Sequence, residues 1–278
     1  FLKRNQLLHI FFKLTSMENS QKVNADIRER PSPLTLSIVI PVRNDGLNLK
    51  IMLKILSATV EVDHELLIVS ESTEDESHNI VGHLSGNNPR VKFILNSLGP
   101  GVGHAICAGI NESRGKYILI LTADDLGPVL AIEAMCGFMD QGYDLVCPTR
   151  YALGGRCWGG PWLSRLFSRL ANTLFFWIVE TPLTDLTLGI KMFQSSIVRK
   201  INLESTMGWS FALELSIKAQ LNNLRIAQIP IISINRFYGG KSNFKLIPWG
   251  GAYSRLFFWG IKEFYRAGRL RFQTIFKR

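Results

Sequence analysis

The chain is poor in the residues that secreted, zinc-binding or membrane-spanning proteins depend on. Its 278 residues include four cysteines (Cys107, Cys136, Cys147, Cys157) with no C-x-x-C pair, and five histidines without metal-ligand spacing. This pattern argues against a disulfide framework or a structural zinc site and fits reduced thiols, most of them in a core, in a cytosolic protein. No apolar run approaches the roughly 18 residues of a transmembrane helix; the longest candidate, 174–179, is far too short. Residues 1–16 lack the small-residue cleavage site of a secretory signal. The first methionine is Met17, so this stretch reads as an upstream extension, and the polar residues after it extend a flexible lead-in over 1–35. Acidic residues are also in deficit, 22 against 32 Lys and Arg, giving a net charge of +10 and a pI near 9.6. That balance favours anionic partners: phosphates, nucleic acid or an acidic membrane surface. No stacking-aromatic motif supports nucleic acid, so none is expected as a partner.

Hydrophobic residues make up 46% of the chain, enough for one large core or two small ones. Short apolar runs at 36–41, 65–69, 91–95, 117–121 and 144–147 read as strands, and another is expected over 224–234. Helical periodicity lies between them: Leu49, Met52, Leu53 and Leu56 after the first run, then 104–112 and 129–141. The alternation predicts an α/β fold with a mostly parallel sheet and helices on both faces. Polar loops follow the strands at 42–46 (VRNDG), 70–77 (SESTEDES) and 99–103 (GPGVG), so they should converge on one sheet edge. The glycines 99, 101 and 103 do not make G-x-G-x-x-G and do not follow the first strand, which argues against a nicotinamide site.

The segment KYILILTADDLGP (116–128) carries the densest chemistry. An apolar strand runs directly into Asp124 and Asp125, followed by a Gly-Pro turn. Ligands of open α/β sheets bind outside the carboxyl ends of the strands. Two acids there can hold a divalent cation and leave positions for phosphate oxygens; the other reading is that one of them caps the next helix.

Beyond Pro148 the chain turns Gly-rich and basic, with Arg150 and Arg156 in 149–160. Leu163, Leu166, Phe167, Leu170, Ala171, Leu174, Phe175 and Ile178 then trace one helical face, leaving Arg165, Ser168, Arg169 and Asn172 off it. Near the end, Tyr253, Leu256, Phe257, Ile261, Phe264 and Tyr265 share a helical face among many arginines and lysines. A basic, aromatic helix over 247–278 suits a membrane-surface anchor; the other reading is a helix packed on its own domain or in a homo-oligomer.

Five segments in order, SIVIPVRND (37–45), TADDLGP (122–128), TRYALGG (149–155), TDLTLGIK (184–191) and RFYGGKSNFKL (236–246), resemble the family-two glycosyltransferases of GT-A fold. The likeness is to the dolichyl- and polyprenyl-phosphate sugar transferase branch and implies a GT-A domain over 36–246. It implies that Pro41, Arg43, Asp45 and Glu71 contact the nucleoside, with Ala123 and Asp124 in the donor site. The family's D-x-D metal motif falls on Thr122, Ala123 and Asp124, so its first acid is absent here. Mg2+ or Mn2+ would then be held by Asp124 with Asp125, or by Asp124 and the diphosphate alone. Arg150 and Arg165 match acceptor-phosphate positions, Asp185 and Lys191 the acidic-to-basic stretch near the acceptor, and Arg236 the residue reaching the donor diphosphate. The family's Ser-Lys becomes Ser242–Asn243 here, so Lys241 or Lys245 would supply that charge.

The implied activity is inverting transfer of a hexose from a nucleotide-diphosphate sugar to a polyprenyl phosphate, by a peripheral protein at the cytoplasmic membrane face. A lipid phosphate needs cations to aim it and no general base, and the arginines beyond Gly142 suit that. Alternatives are a hydroxyl acceptor, which needs a base and for which Asp185 is the sole candidate, and a non-catalytic nucleotide-sugar binder, which Thr122 and Ser70 in place of acids keep open.

Overall fold

Alternation with a period of two runs through every central strand, and both of its phases are apolar. In β1 (Leu36–Pro41), Leu36, Ile38 and Ile40 face one core while Val39 faces another. β2 (His64–Ser70) and β4 (Tyr117–Ile120) repeat this division, as expected of strands covered on both faces. The first core is closed by α1 (Gly46–Thr59) and α4 (Ile132–Asp140) through Leu49, Met52, Leu56 and Met135. The second is closed by α3 (Val102–Glu112), α5 (Trp162–Ile178), α7 (Ser210–Leu221) and α8 (Leu246–Arg266) through Ile106, Phe175, Ile217 and Phe264. The remaining helices are α2 (Glu76–Ser85) and the short α6 (Ser195–Val198). These features belong to a computed structural model that describes residues 34–85, 88–205, 207–235 and 246–271. Most of the lead-in expected over 1–35 lies outside them. The described residues from 35 onward form one unit.

The main sheet has seven strands in the order β3-β2-β1-β4-β7-β5-β8, with β3 at Val91–Leu95, β5 at Leu145–Thr149, β7 at Lys191–Gln194 and β8 at Ile226–Pro230. Strands β1 to β4 are parallel, as the β-α alternation predicts. Strand β7 departs from it: it is inserted antiparallel between β4 and β5. A second departure is the run 224–234, which divides at Pro230. Its first part is β8, and its second, β9 (Ile232–Ile234), pairs with β6 (Arg156–Trp158) in a separate two-stranded sheet. Proline cannot donate to a ladder, so the chain changes partners there.

Four buried carboxylates brace the fold. Glu65 accepts from Ser37 Oγ at 2.7 Å and from Arg114 N at 2.9 Å. Asp75 accepts from Asn44 N at 2.8 Å and Ser77 N at 2.9 Å, Glu214 from Ser205 N at 2.8 Å, and Asp185 from Arg150 Nε at 2.7 Å. Burial pushes all four carboxyls up, but their hydrogen bonds and adjacent cations outweigh it and hold each below its ordinary value. A carboxylate depressed in the folded state stabilises above its unfolded pKa, near about 4, and loses that contribution as pH falls through the folded value. Melting temperature should therefore hold from neutrality to about pH 5 and fall below about pH 4. Glu65→Gln should flatten part of that acid limb in calorimetric scans; an acid limb unchanged by it would refute the bracing role.

Candidate active site

The loops at the carboxyl ends of β1, β2 and β4 meet over a cavity of about 1260 Å³. This exceeds the roughly 300–1000 Å³ of a single small-molecule pocket and leaves room for two substrates. Pro41, Arg43, Asn44 and Asp45 line it from the β1 loop, Glu71 from the β2 loop, and Thr122, Ala123 and Asp124 from the β4 loop. The six positions expected on the donor side among the described residues are thus brought together. Arg236 and Lys241 lie outside the described residues. Two further contacts shape this side. Asp75 draws the β1 loop to the β2 loop through Asn44 N and Ser70 Oγ. Glu71 Oε1 accepts from the backbone N–H of Gly101 at 2.5 Å, at the start of α3, where φ is +109° and glycine alone is at ease. Asp75 escaped the sequence reading, although Ser and Asp within SESTEDES carry the signature of a local turn.

The adjacent acids Asp124 and Asp125 point to different tasks. Asp124 is half-buried and lines the cavity. Asp125 is 2% exposed, and its oxygens accept from Ser233 Oγ at 2.5 Å, Ile234 N at 2.8 Å and Gly127 N at 3.3 Å. Burial pushes its carboxyl up, against the pull of these bonds. Asp125 therefore fastens β9 across the β4 loop. The approach is close enough that a side chain on Gly127 would overlap Ile232 O. Asp125 also lines the cavity, but these bonds occupy the oxygens that the expected second metal ligand would offer, so Asp124 is the better placed of the two acids.

Among the described residues no cluster of three or more His, Cys, Asp or Glu is arranged to hold an ion. The buried Thr122 Oγ1, two residues before Asp124, has no hydrogen-bond partner among the described residues. One carboxylate beside an unsatisfied hydroxyl fits a divalent cation that arrives with a diphosphate, since Mg2+ is commonly held by one or two carboxylates plus substrate phosphates. Asp124 would hold it, with Thr122 Oγ1 alongside.

On the other side of the cavity the expected acceptor residues divide into two groups. Arg150, its side chain 12% exposed, forms a two-pronged ion pair with Asp185: Nε to Oδ2 at 2.7 Å and Nη2 to Oδ1 at 3.0 Å. Nη2 also reaches Ser168 Oγ and Thr187 Oγ1, each at 3.2 Å. Asp185 is fully buried behind the cavity wall, and burial is outweighed by Arg150 and Lys191, which hold its carboxyl down. Lys191 is fully buried on β7, with Nζ 3.7 Å from Cys147 Sγ. Asp185 and Lys191, expected beside the acceptor, do not line the cavity; Asp185 holds Arg150 from behind, and Lys191 helps to hold the Asp185 carboxyl down. Arg150 and Arg165 do line it, and Arg165 is tied to β6 by a 3.3 Å bond from Nη1 to Cys157 O.

The helix carrying Arg165 faces the opposite way from a surface helix. Asn172 is 4% exposed, donates to Thr187 Oγ1 at 3.0 Å and accepts from Leu186 N at 2.8 Å, whereas of the expected apolar face only Phe175 is buried. Helix α8 packs Phe257 and Phe264 edge-on against Phe175, and Gly260 against Ile217. Most of the C-terminal stripe read as a membrane face is thereby occupied by the protein's own core, leaving Tyr265 exposed, together with the adjacent Phe258. Between α5 and α8 the cavity is walled by Leu170, Leu174, Tyr253, Phe257 and Phe258. Burial pushes the Tyr253 phenol well above its ordinary value, despite the nearby Arg150.

A mostly parallel sheet with an acid-bearing β4 loop and a deep cavity at its strand ends is the arrangement of a GT-A glycosyltransferase. Residues 37–201, more than half of the chain, match Glycosyl transferase family 2, and the protein belongs to that family. It is similar to polyprenol monophosphomannose synthase of Mycolicibacterium smegmatis, 25% identical over 237 residues that cover 80% of this chain and 88% of that protein. It also resembles dolichol-phosphate mannosyltransferase of Pyrococcus furiosus, 23% identical over 240 residues, 80% of this chain and 66% of that protein. Among solved structures, glucosyl-3-phosphoglycerate synthase from Mycobacterium tuberculosis, in complex with Mn2+, UDP-glucose and phosphoglyceric acid, shares the fold. Its TM-score is 0.60 at 17% identity, covering 80% of this chain and 77% of that one.

Proposed function

We propose that the protein is an inverting hexosyltransferase that moves a sugar from a nucleotide-diphosphate donor to a polyprenyl (dolichyl-like) phosphate at the cytoplasmic face of a membrane. The observation that carries this reading is the two-part cavity: polar, with Asp45, Glu71 and Asp124 at the strand ends, and apolar between α5 and α8, with Arg150 and Arg165 in its wall. The names of the two mannosyl-transferring relatives agree with it.

In this reading Pro41, Arg43, Asp45 and Glu71 bind the nucleoside, and Asp124 orients the diphosphate. A divalent ion, when bound, neutralises charge on the departing diphosphate. The arginines seat the lipid phosphate, and its oxygen attacks the anomeric carbon from the side opposite the leaving group. That oxygen is already anionic, so no side chain has to remove a proton. The hydroxyl-acceptor alternative relies on Asp185, a fully buried carboxylate gripped by Arg150, held below its usual pKa and absent from the cavity wall. It is a poor base in a poor place.

The test is sugar transfer from a panel of nucleotide sugars to polyprenyl phosphate and, in parallel, to the matching polyprenol. Product from the phosphate alone is expected; product from the alcohol alone would transfer the assignment to a hydroxyl acceptor. Donor binding without either product would favour a non-catalytic binder.

The single-carboxylate arrangement makes a further prediction. Thr122→Asp restores a second acid beside Asp124 and should tighten Mn2+ binding on the order of tenfold, since ligand charge tunes affinity. Titration calorimetry checks it without turnover; unchanged affinity would place the ion away from the β4 loop.

A further inference from the structure

Helix α5 is amphipathic in the reverse sense. Trp162, Leu166, Phe167, Leu170, Leu174 and Trp177 fall within one arc of about 140° at 3.6 residues per turn and face outward. Trp162 is 67% exposed, Leu166 54% and Trp177 68%. The inward side carries Ser168, Asn172 and Phe175, the first two bonded to Thr187. Arg165 and Arg169 flank the outward arc at its polar border. The preceding β6, tied to Arg165 through Cys157 O, adds Trp158, 63% exposed, and the exposed Arg156. A soluble helix turns its apolar stripe to the core, and large exposed apolar patches mark interaction surfaces.

We propose that this outward face of α5, with Trp158 at its edge, is the principal surface that docks on an anionic lipid bilayer, ahead of α8, which exposes only Phe258 and Tyr265 among its large apolar side chains in the described residues. Two features select a bilayer as the occupant. Leucine and tryptophan bordered by arginine, on a chain of net charge +10, complement an acidic headgroup layer with acyl chains beneath it. The face is also continuous with the candidate active site: Phe167, Leu170 and Leu174 are exposed and also line the cavity. A bilayer at this lip gives a lipid a path into the site without crossing water, whereas a second protein copy would cover the lip. The choice of bilayer rests on the polyprenyl-phosphate reading; the exposure of the helix does not.

The test is flotation of the full chain with phosphatidylglycerol-containing vesicles and with phosphatidylcholine alone. Native protein should float with the anionic vesicles and shift its tryptophan emission to the blue. The double variant Leu166→Glu, Trp177→Glu lies outside the cavity wall and should lose at least tenfold in partitioning, with unchanged melting temperature and unchanged turnover of a short, water-soluble polyprenyl phosphate. Tyr265→Glu on α8 should change partitioning less than twofold. Native-like partitioning of the double variant, or an equal loss from Tyr265→Glu, would overturn the assignment. So would a native chain that ignores vesicles and forms a dimer dissociated by the double variant, since the face would then join two copies. If partitioning is lost as expected but the short acceptor is not turned over by native protein, the docking surface stands and the acceptor assignment fails.

Discussion

Asp124→Ala should cost at least about 100-fold in turnover, the scale for removing a group that stabilises charge in the transition state, and leave the melting temperature close to native. The side chain is half-buried on the β4 loop and lines the cavity, where substitutions affect chemistry more than folding. Its neighbour should behave in the opposite way. Asp125→Ala removes the acceptor for Ser233 Oγ and Ile234 N, leaving buried donors unpaired at about 1–3 kcal/mol and loosening β9, which leads into the basic segment from 236 onward. The two variants, measured side by side by steady-state kinetics and thermal melting, should thus exchange phenotypes. If the Asp124 ligand role is right, stabilisation of the native protein by nucleotide diphosphate should depend on divalent ion and that dependence should vanish in Asp124→Ala. Near-normal turnover in this variant would end the metal-site reading.

The contrast between these neighbours shows what a sequence can carry. Both are acids after a strand, and the D-D pair alone says that the strand end is chemically rich. Which acid is engaged by the fold depends on where β9 lies, and β9 arrives from more than a hundred residues away. The parallel half of the sheet was legible because each strand carries its own local signal: short apolar runs, then turn residues, then helical spacing. Convergence of the polar loops on one edge follows from parallel strands, and Pro41, Asp45, Glu71 and Asp124 do meet there. The antiparallel β7 was not legible, because strand direction within a sheet leaves no mark on a four-residue run. Pro230 was a visible sign of the break between β8 and β9.

Helix α5 illustrates a deeper ambiguity. Periodicity finds the two faces of a helix but does not say which one points inward. The usual inference takes the apolar face as the buried one, because burying leucine is favourable and burying asparagine unpaired is costly. Here the cost is met by Leu186 N and Thr187 Oγ1, which satisfy Asn172 in full view of Asp185. A buried polar network of this kind is high in specificity when every member is partnered. The polar stripe Arg165, Ser168, Arg169 and Asn172 was therefore the informative half of the helix, with Arg165, Ser168 and Asn172 in the cavity wall and Arg169 exposed.

Arg150 and Arg165 should separate sharply once the ion pair behind Arg150 is taken into account. Arg165→Ala should fold normally, raise the KM for polyprenyl phosphate roughly tenfold or more and leave donor affinity unchanged, as expected for loss of a charged hydrogen-bond donor of about 1.5–3 kcal/mol. Arg150→Ala should be dominated by instability. It leaves Asp185 buried without its cation, a defect of about 3–5 kcal/mol, and frees the bonds to Ser168 and Thr187. Arg150→Lys keeps charge but loses the planar fork that spans both Asp185 oxygens, so it should recover only part of the loss. Removing both charges together, as Arg150→Met with Asp185→Leu, separates structure from function, because a buried pair replaced by apolar groups of similar volume is often neutral in stability. If Arg150 also seats the acceptor, the double variant should regain its melting temperature and still show a raised acceptor KM. A double variant with native acceptor kinetics would confine Arg150 to a structural role and leave Arg165 to hold the phosphate. Unchanged acceptor kinetics in Arg165→Ala as well would remove the phosphate clamp altogether and return the assignment to a hydroxyl acceptor.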